Sequence, residues 1–180
     1  MGFRVFSAVL LMFGGWCATA SPLTDLKGAI AARLLLMDDV ARYKWNHGQP
    51  IVDPEREAAL LERISGEAVA LGVPQDYARR VVAAEIEASR TLQLELIAVW
   101  QRQQHSPFAD VPDLTTIQRP TIDAATRQLL EELSASLCAL NSDAARAVLE
   151  TAPPSLAQSP AIWSLATAAL WPVPPGVCPG

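Results

Sequence analysis

Apolar residues recur every three to four positions along most of this chain. No stretch alternates apolar and polar as a strand facing a core does, so the pattern predicts an all-α fold. A long first helix is expected over about Leu23 to His47, ended by Gly48 and Pro50. Asp53-Pro54-Glu55 opens a second helix, with Asp53 as N-cap, Pro54 in its first turn and an acid beside it. Gly72 closes that helix, and Pro74 starts a third that runs to about Gln103. Pro107, Pro112 and Pro120 mark Ser106 to Pro120 as a crossover loop. A fourth helix follows, with Ile122, Leu129, Leu133, Leu137 and Leu140 on or near one face. Asn141-Ser142-Asp143 breaks it and caps a short helix to about Glu150. Ser159-Pro160 caps a last one to about Leu170. The expectation is one domain of about six helices, with a helical core over 23–140 and C-terminal helices and a proline-rich tail over 141–180.

The first twenty residues do not fit that bundle. Arg4 is followed by an apolar run from Val5 to Phe13, about nine residues and too short to span a bilayer. Ala18-Thr19-Ala20 then matches a small-residue cleavage site, so residues 1–20 read as a secretory signal removed after Ala20, leaving 21–180 as the mature domain. Lipidation at Cys17 is the alternative, and the bulk of Trp16 argues against it. The location expected is periplasmic or secreted, with no membrane attachment after cleavage. Export implies an oxidising compartment, where Cys138 and Cys178 either pair or stay as two free buried thiols. The only histidines, His47 and His105, lack ligand spacing to a cysteine, and no metal site is expected. The chain carries a net charge of −5, and cleavage makes the mature domain more negative still by removing Arg4. Without a basic tract, a nucleic-acid partner is not expected.

Several polar residues fall inside the apolar stripes. Arg33 and Lys44 are eleven positions apart, within about 20° of one helical face, with Met37 and Val40 between them. Two cations in one apolar stripe are costly to bury without an anionic partner, unless they snorkel to the surface. Ser89 and Gln93, spaced i and i+4, interrupt the face made by Val82, Ile86, Leu96 and Trp100, where a hydrogen-bonded core pair is the plainer reading. Arg56 lies one turn inside the second helix, where pairing with a nearby Glu would account for it. Arg119 lies at the entry to the fourth helix, where it could be an ordinary loop arginine. Together these are four cations, a hydroxyl and an amide from four segments, a set suited to a small substrate with two carboxylates.

The same residues carry a resemblance. Ala32-Arg33, Asp39 to Trp45, Pro50 to Asp53, Arg56-Glu57, Ile86 to Gln93, Asp113-Leu114, Arg119 and Ile122-Asp123, in that order after a leader, resemble the exported, gamma-type members of the AroQ chorismate mutases. The resemblance implies an AroQ-type helical bundle with one disulfide and an isomerase that rearranges chorismate to prephenate with no cofactor and no metal. It carries over Arg33, Lys44, Asp53, Arg56, Glu57, Ser89 and Gln93 as substrate-binding residues. Arg119 takes the place of the loop arginine that exported members use where cytosolic relatives borrow one from a partner chain. Leu60 stands where some exported members have a ligand-touching glutamine. Arg33, Arg56 and Arg119, assisted by Ser89, are expected to clamp carboxylates. Lys44 and Gln93 are expected to donate to the ether oxygen, and Asp53 and Glu57 to orient the ring hydroxyl or the cations. Because an amide donates at any pH, Gln93 predicts a rate nearly flat from about pH 5 to 8. A homodimer is the expected assembly. The rival reading is a non-catalytic secreted helical binding or effector protein on the same scaffold.

Overall fold

A computed structural model describes residues 21–178; the expected leader, 1–20, lies outside the described residues. Among these there is no strand. The helices are α1 (Pro22–Leu35), α2 (Met37–His47), α3 (Pro54–Ala70), α4 (Gln75–Arg102), α5 (Arg119–Ser136), α6 (Asp143–Leu149) and α7 (Pro160–Ala168).

The expected first helix is two. The ladder is interrupted at Leu36, which keeps right-handed dihedrals (φ −66°, ψ −18°), so the chain barely turns. The break separates two packing partners: α1 lies on α5, and α2 lies on α4. Gly48 adopts φ +59° and ends α2 by returning its N–H to the Lys44 and Trp45 carbonyls, a conformation a Cβ would strain. Asp53 does cap α3, accepting the Arg56 N–H at 3.2 Å.

α4 is the spine. Its 28 residues touch α1, α2, α3 and α7. The main core is built from Leu26, Ile30 and Leu34 of α1, Val81 and Val82 of α4, Leu129, Leu130 and Leu133 of α5, and Trp163 of α7. A second, smaller cluster of Met37, Val40 and Leu114 packs with Leu92 and Ile122 at the start of α2.

The crossover segment contains more structure than its prolines suggest. Asp113 accepts the N–H groups of Thr115 (3.0 Å) and Thr116 (2.7 Å), and these bonds hold its carboxyl below the usual carboxylate range. Over Leu114–Gln118 the chain then makes one wide turn, in which the Gln118 N–H reaches the Asp113 carbonyl five residues back at 3.0 Å. This turn runs directly into α5, so Arg119 is the first residue of a helix and not a loop residue. Asn46 pins the preceding loop by exchanging two 2.8 Å bonds with the backbone of Phe108.

Cys138 and Cys178 are linked, with Cα atoms 5.4 Å apart, and the bridge ties the tail to the end of α5 across 40 positions. Closing a loop of that length restricts the unfolded chain by about 4 kcal/mol on the chain-entropy account. Reduction should therefore lower the melting temperature substantially. Turnover by still-folded protein should be unchanged, since neither cysteine reaches the cleft described below. Thermal denaturation and activity assays, each with and without reductant, check the two expectations.

Candidate active site

One cleft, with about 650 Å³ of open space counted to its mouth, lies between α1, α2, α3, α4 and the start of α5. All eight residues singled out from the sequence line it: Arg33, Lys44, Asp53, Arg56, Glu57, Ser89, Gln93 and Arg119. Its apolar walls include Met37, Val40, Leu60, Ile86, Leu114 and Ile122.

The floor is polar and buried. Arg33 is only 3% exposed. Its guanidinium donates to Thr126 Oγ1 (3.2 Å), Ser89 Oγ (2.9 Å), the Glu85 carbonyl (3.2 Å) and Glu85 Oε2 (3.3 Å). Ser89 donates its own hydrogen to the Glu85 carbonyl at 2.7 Å, so its oxygen serves to orient Arg33. Ser89 thus both lines the cleft and braces Arg33. Snorkelling is thereby excluded for Arg33: Nε and Nη1 are bonded inside the floor, and Nη2 makes no hydrogen bond among the described residues.

Lys44 is also buried and donates to the Ile51 carbonyl at 2.6 Å. Burial lowers its pKa; Asp53 and Glu57 oppose that effect, and Arg119 adds to it. On α4, Gln93 bonds to the Ser89 carbonyl (3.0 Å) and to Met37 Sδ (3.6 Å), while its Oε1 is buried with no partner. A thioether is a weak acceptor, so the N–H on Met37 is readily redirected to a stronger one in the cleft.

At the rim the cations are held by carboxylates. Arg119 donates to Asp53 Oδ2 at 2.8 Å, with both side chains more than a third exposed. Arg56 pairs with Asp123, which also holds Arg63 at 2.8 Å. Glu57 is engaged by Arg90, whose Nε donates to it at 2.9 Å, so its carboxylate faces a cation and not the open space alone.

Sequence reasoning did not single out Glu85, Arg90 or Asp123 for the site. Glu85 is the most informative omission. It is wholly buried, and burial pushes its pKa up to about 7, although Arg33 pulls the other way. A signal was present: Glu85, Ser89 and Gln93 stand at i, i+4 and i+8, on one face of α4.

The arrangement can hold a compact dianion between cations of the floor and rim. It can also present an ammonium from α2 and an amide from α4 to an oxygen on which charge grows.

Comparisons with known proteins point to one family. Residues 24–94 match the family described as chorismate mutase type II. The secreted chorismate mutase of Mycolicibacterium smegmatis is 30% identical over 133 residues, which cover 74% of this chain and 73% of that protein. The monofunctional chorismate mutase of Enterobacter agglomerans is 34% identical over 128 residues, 70% of this chain and 68% of that one. The crystal structure of chorismate mutase from Burkholderia thailandensis superimposes with a TM-score of 0.73 at 33% identity, covering 84% of this chain and 99% of that one. The chain belongs to the chorismate mutase type II family.

Proposed function

We propose that this chain acts outside the cytoplasm, in the periplasm or beyond the cell, as an isomerase that converts chorismate to prephenate. The observation that carries this reading is the convergence of Arg33, Lys44, Arg56, Arg119 and Gln93 on one apolar-walled cleft. The secreted relatives support the location, and removal of residues 1–20 after Ala20 is the export step proposed.

Chorismate rearranges through a cyclic transition state in which the ether C–O bond breaks as a C–C bond forms. No proton transfer and no covalent intermediate are required. The site therefore has two tasks: to fold the side-chain carboxylate over the ring, and to stabilise negative charge growing on the ether oxygen. Arg33 from the floor and Arg56 and Arg119 from the rim suit the first task, since guanidinium forks bind carboxylates in a fixed geometry. Lys44 and the Gln93 amide suit the second. Asp53 and Glu57, already paired with Arg119 and Arg90, are suited to receive the ring hydroxyl or to orient those cations. Met37 and Val40 pack against the substrate's apolar parts.

Loss of chorismate with purified 21–180 is the test; folded protein that leaves it untouched favours the non-catalytic binding reading. Because one chain supplies the whole lining, activity per chain should stay constant on dilution whether or not the protein is a homodimer. A fall in specific activity as dimers dissociate would contradict the self-contained site. Arg119→Ala should raise KM by the equivalent of about 2 kcal/mol, the lower end for a removed charge partner, because Arg119 sits partly in solvent. Steady-state kinetics on this variant checks it, and an unchanged KM would remove Arg119 from the substrate's reach.

A further inference from the structure

We propose that Glu85 is a positioning residue for the site: from beneath the floor it fixes the Arg33 guanidinium and offsets its charge, and so sets how strongly Arg33 holds a substrate carboxylate. This rests on the reading of the cleft as a chorismate site.

Glu85 lies outside the lining, with no exposed surface, one turn below Ser89 on α4. It touches Arg33 twice, through Oε2 at 3.3 Å and through its own carbonyl at 3.2 Å, and Ser89 bridges the same two groups. Its other oxygen, Oε1, is buried with no hydrogen-bond partner. A carboxylate with one oxygen unsolvated and a single cationic neighbour is poorly stabilised as an anion.

No other charge on the surrounding elements is directed at it. On α4 itself, Arg79 turns to Ser65 and Glu62, and Glu87 to Arg90. On α3, Glu57 is taken by Arg90, Arg56 by Asp123, and Arg63 by Glu67 and Asp123. On α5, Arg127 faces Glu67. From α2, Arg42 pairs with Asp38 and Asp39, and Lys44 bonds to the Ile51 carbonyl. On α1, Lys27 bonds to the Val148 carbonyl, and α7 carries no charged residue. The charge state of Glu85 is thus felt chiefly through Arg33.

Neutral Glu85 leaves Arg33 with its full positive charge for the substrate. Ionised Glu85 cancels part of it. A bound carboxylate favours the neutral form in turn, so binding above neutrality takes up a proton. The burial that moves Glu85 to about pH 7 places this change in the physiological range.

KM for chorismate in the wild type should rise roughly tenfold as pH climbs through about 7 and then level off, the order expected for a unit charge one side chain away. The kcat should move much less. Glu85→Gln keeps an acceptor for Arg33 and loses the titration. Its KM at pH 8 should fall to the wild-type value at pH 6, and the step should vanish. Glu85→Ala, which frees the guanidinium, should raise KM at both pH values. A role confined to stability would shift melting temperatures of the variants but leave the pH step in place. A step retained in Glu85→Gln would overturn the proposal, as would a wild-type KM flat from pH 6 to 8, which needs no variant to fold. Folded wild-type protein with no turnover at any pH would overturn the functional reading and this inference with it, whereas turnover with a flat KM would sink this inference alone.

Discussion

Replacing Gln93 with alanine should slow the rearrangement by about 10²–10³ in kcat at every pH, the cost typical of one lost donor to a developing oxyanion. Gln93→Glu should behave differently. A carboxylate only accepts hydrogen bonds and repels the charge growing on the ether oxygen; a protonated carboxyl can donate. The position is buried between Met37 and Ser89, so the variant's kcat should be highest in acid and fall as the new carboxyl ionises. The wild-type kcat should stay nearly flat from about pH 5 to 8, because an amide does not titrate. Flatness is expected of kcat, whereas kcat/KM should also carry the step proposed for Glu85. Profiles of kcat for the three proteins decide the matter. If Gln93→Glu tracks the wild type, Gln93 does not face the reacting oxygen.

Arg33→Ala should be the most damaging single change. It removes the floor cation from the substrate and leaves Glu85 buried without its partner. Breaking a buried pair in this way costs about 3–5 kcal/mol of stability while the remaining group stays charged. Glu85 can escape by taking up a proton, which makes the cost depend on pH. Its carboxyl titrates above the ordinary value of 4.5 in the folded protein, near 7. Between those limits the folded state binds more protons than the unfolded state, so the Glu85 contribution to stability falls as pH rises and is lost above about 7. Without Arg33 the fold disfavours the anion still more, and the penalty should be greater at pH 8 than at pH 5.5. Urea unfolding at the two pH values measures it. Equal losses at both would mean that Glu85 is not the group left stranded.

Much of this site was legible because its polar residues violate a helical pattern. Arg33, Lys44, Ser89 and Gln93 each occupy positions that packing would give to apolar side chains, and each proved buried around one cleft. The caps were equally readable: Asp53, Gly48 and Ser142 end or begin helices where local chemistry places them. What escaped depends on tertiary pairing. The break at Leu36 has no proline or glycine to announce it and follows from α1 and α2 packing on different helices. The wide turn before Arg119 depends on Asp113 gathering two N–H groups. Residues such as Asp123 and Arg90 look like ordinary surface charges until the fold brings Arg56 and Glu57 to them. The leader proposed over residues 1–20 rests on sequence alone.

The most direct measurement is proton NMR of chorismate incubated with purified 21–180, beside an equal amount of the Lys44→Met variant. The account predicts prephenate as the sole product from the wild type, formed at a rate far above the spontaneous one, and loss of nearly all that acceleration in the variant. Folded wild-type protein that leaves chorismate unchanged would contradict it. So would release of pyruvate, which would mean that the cleft cleaves the ether side chain away instead of moving it to the ring.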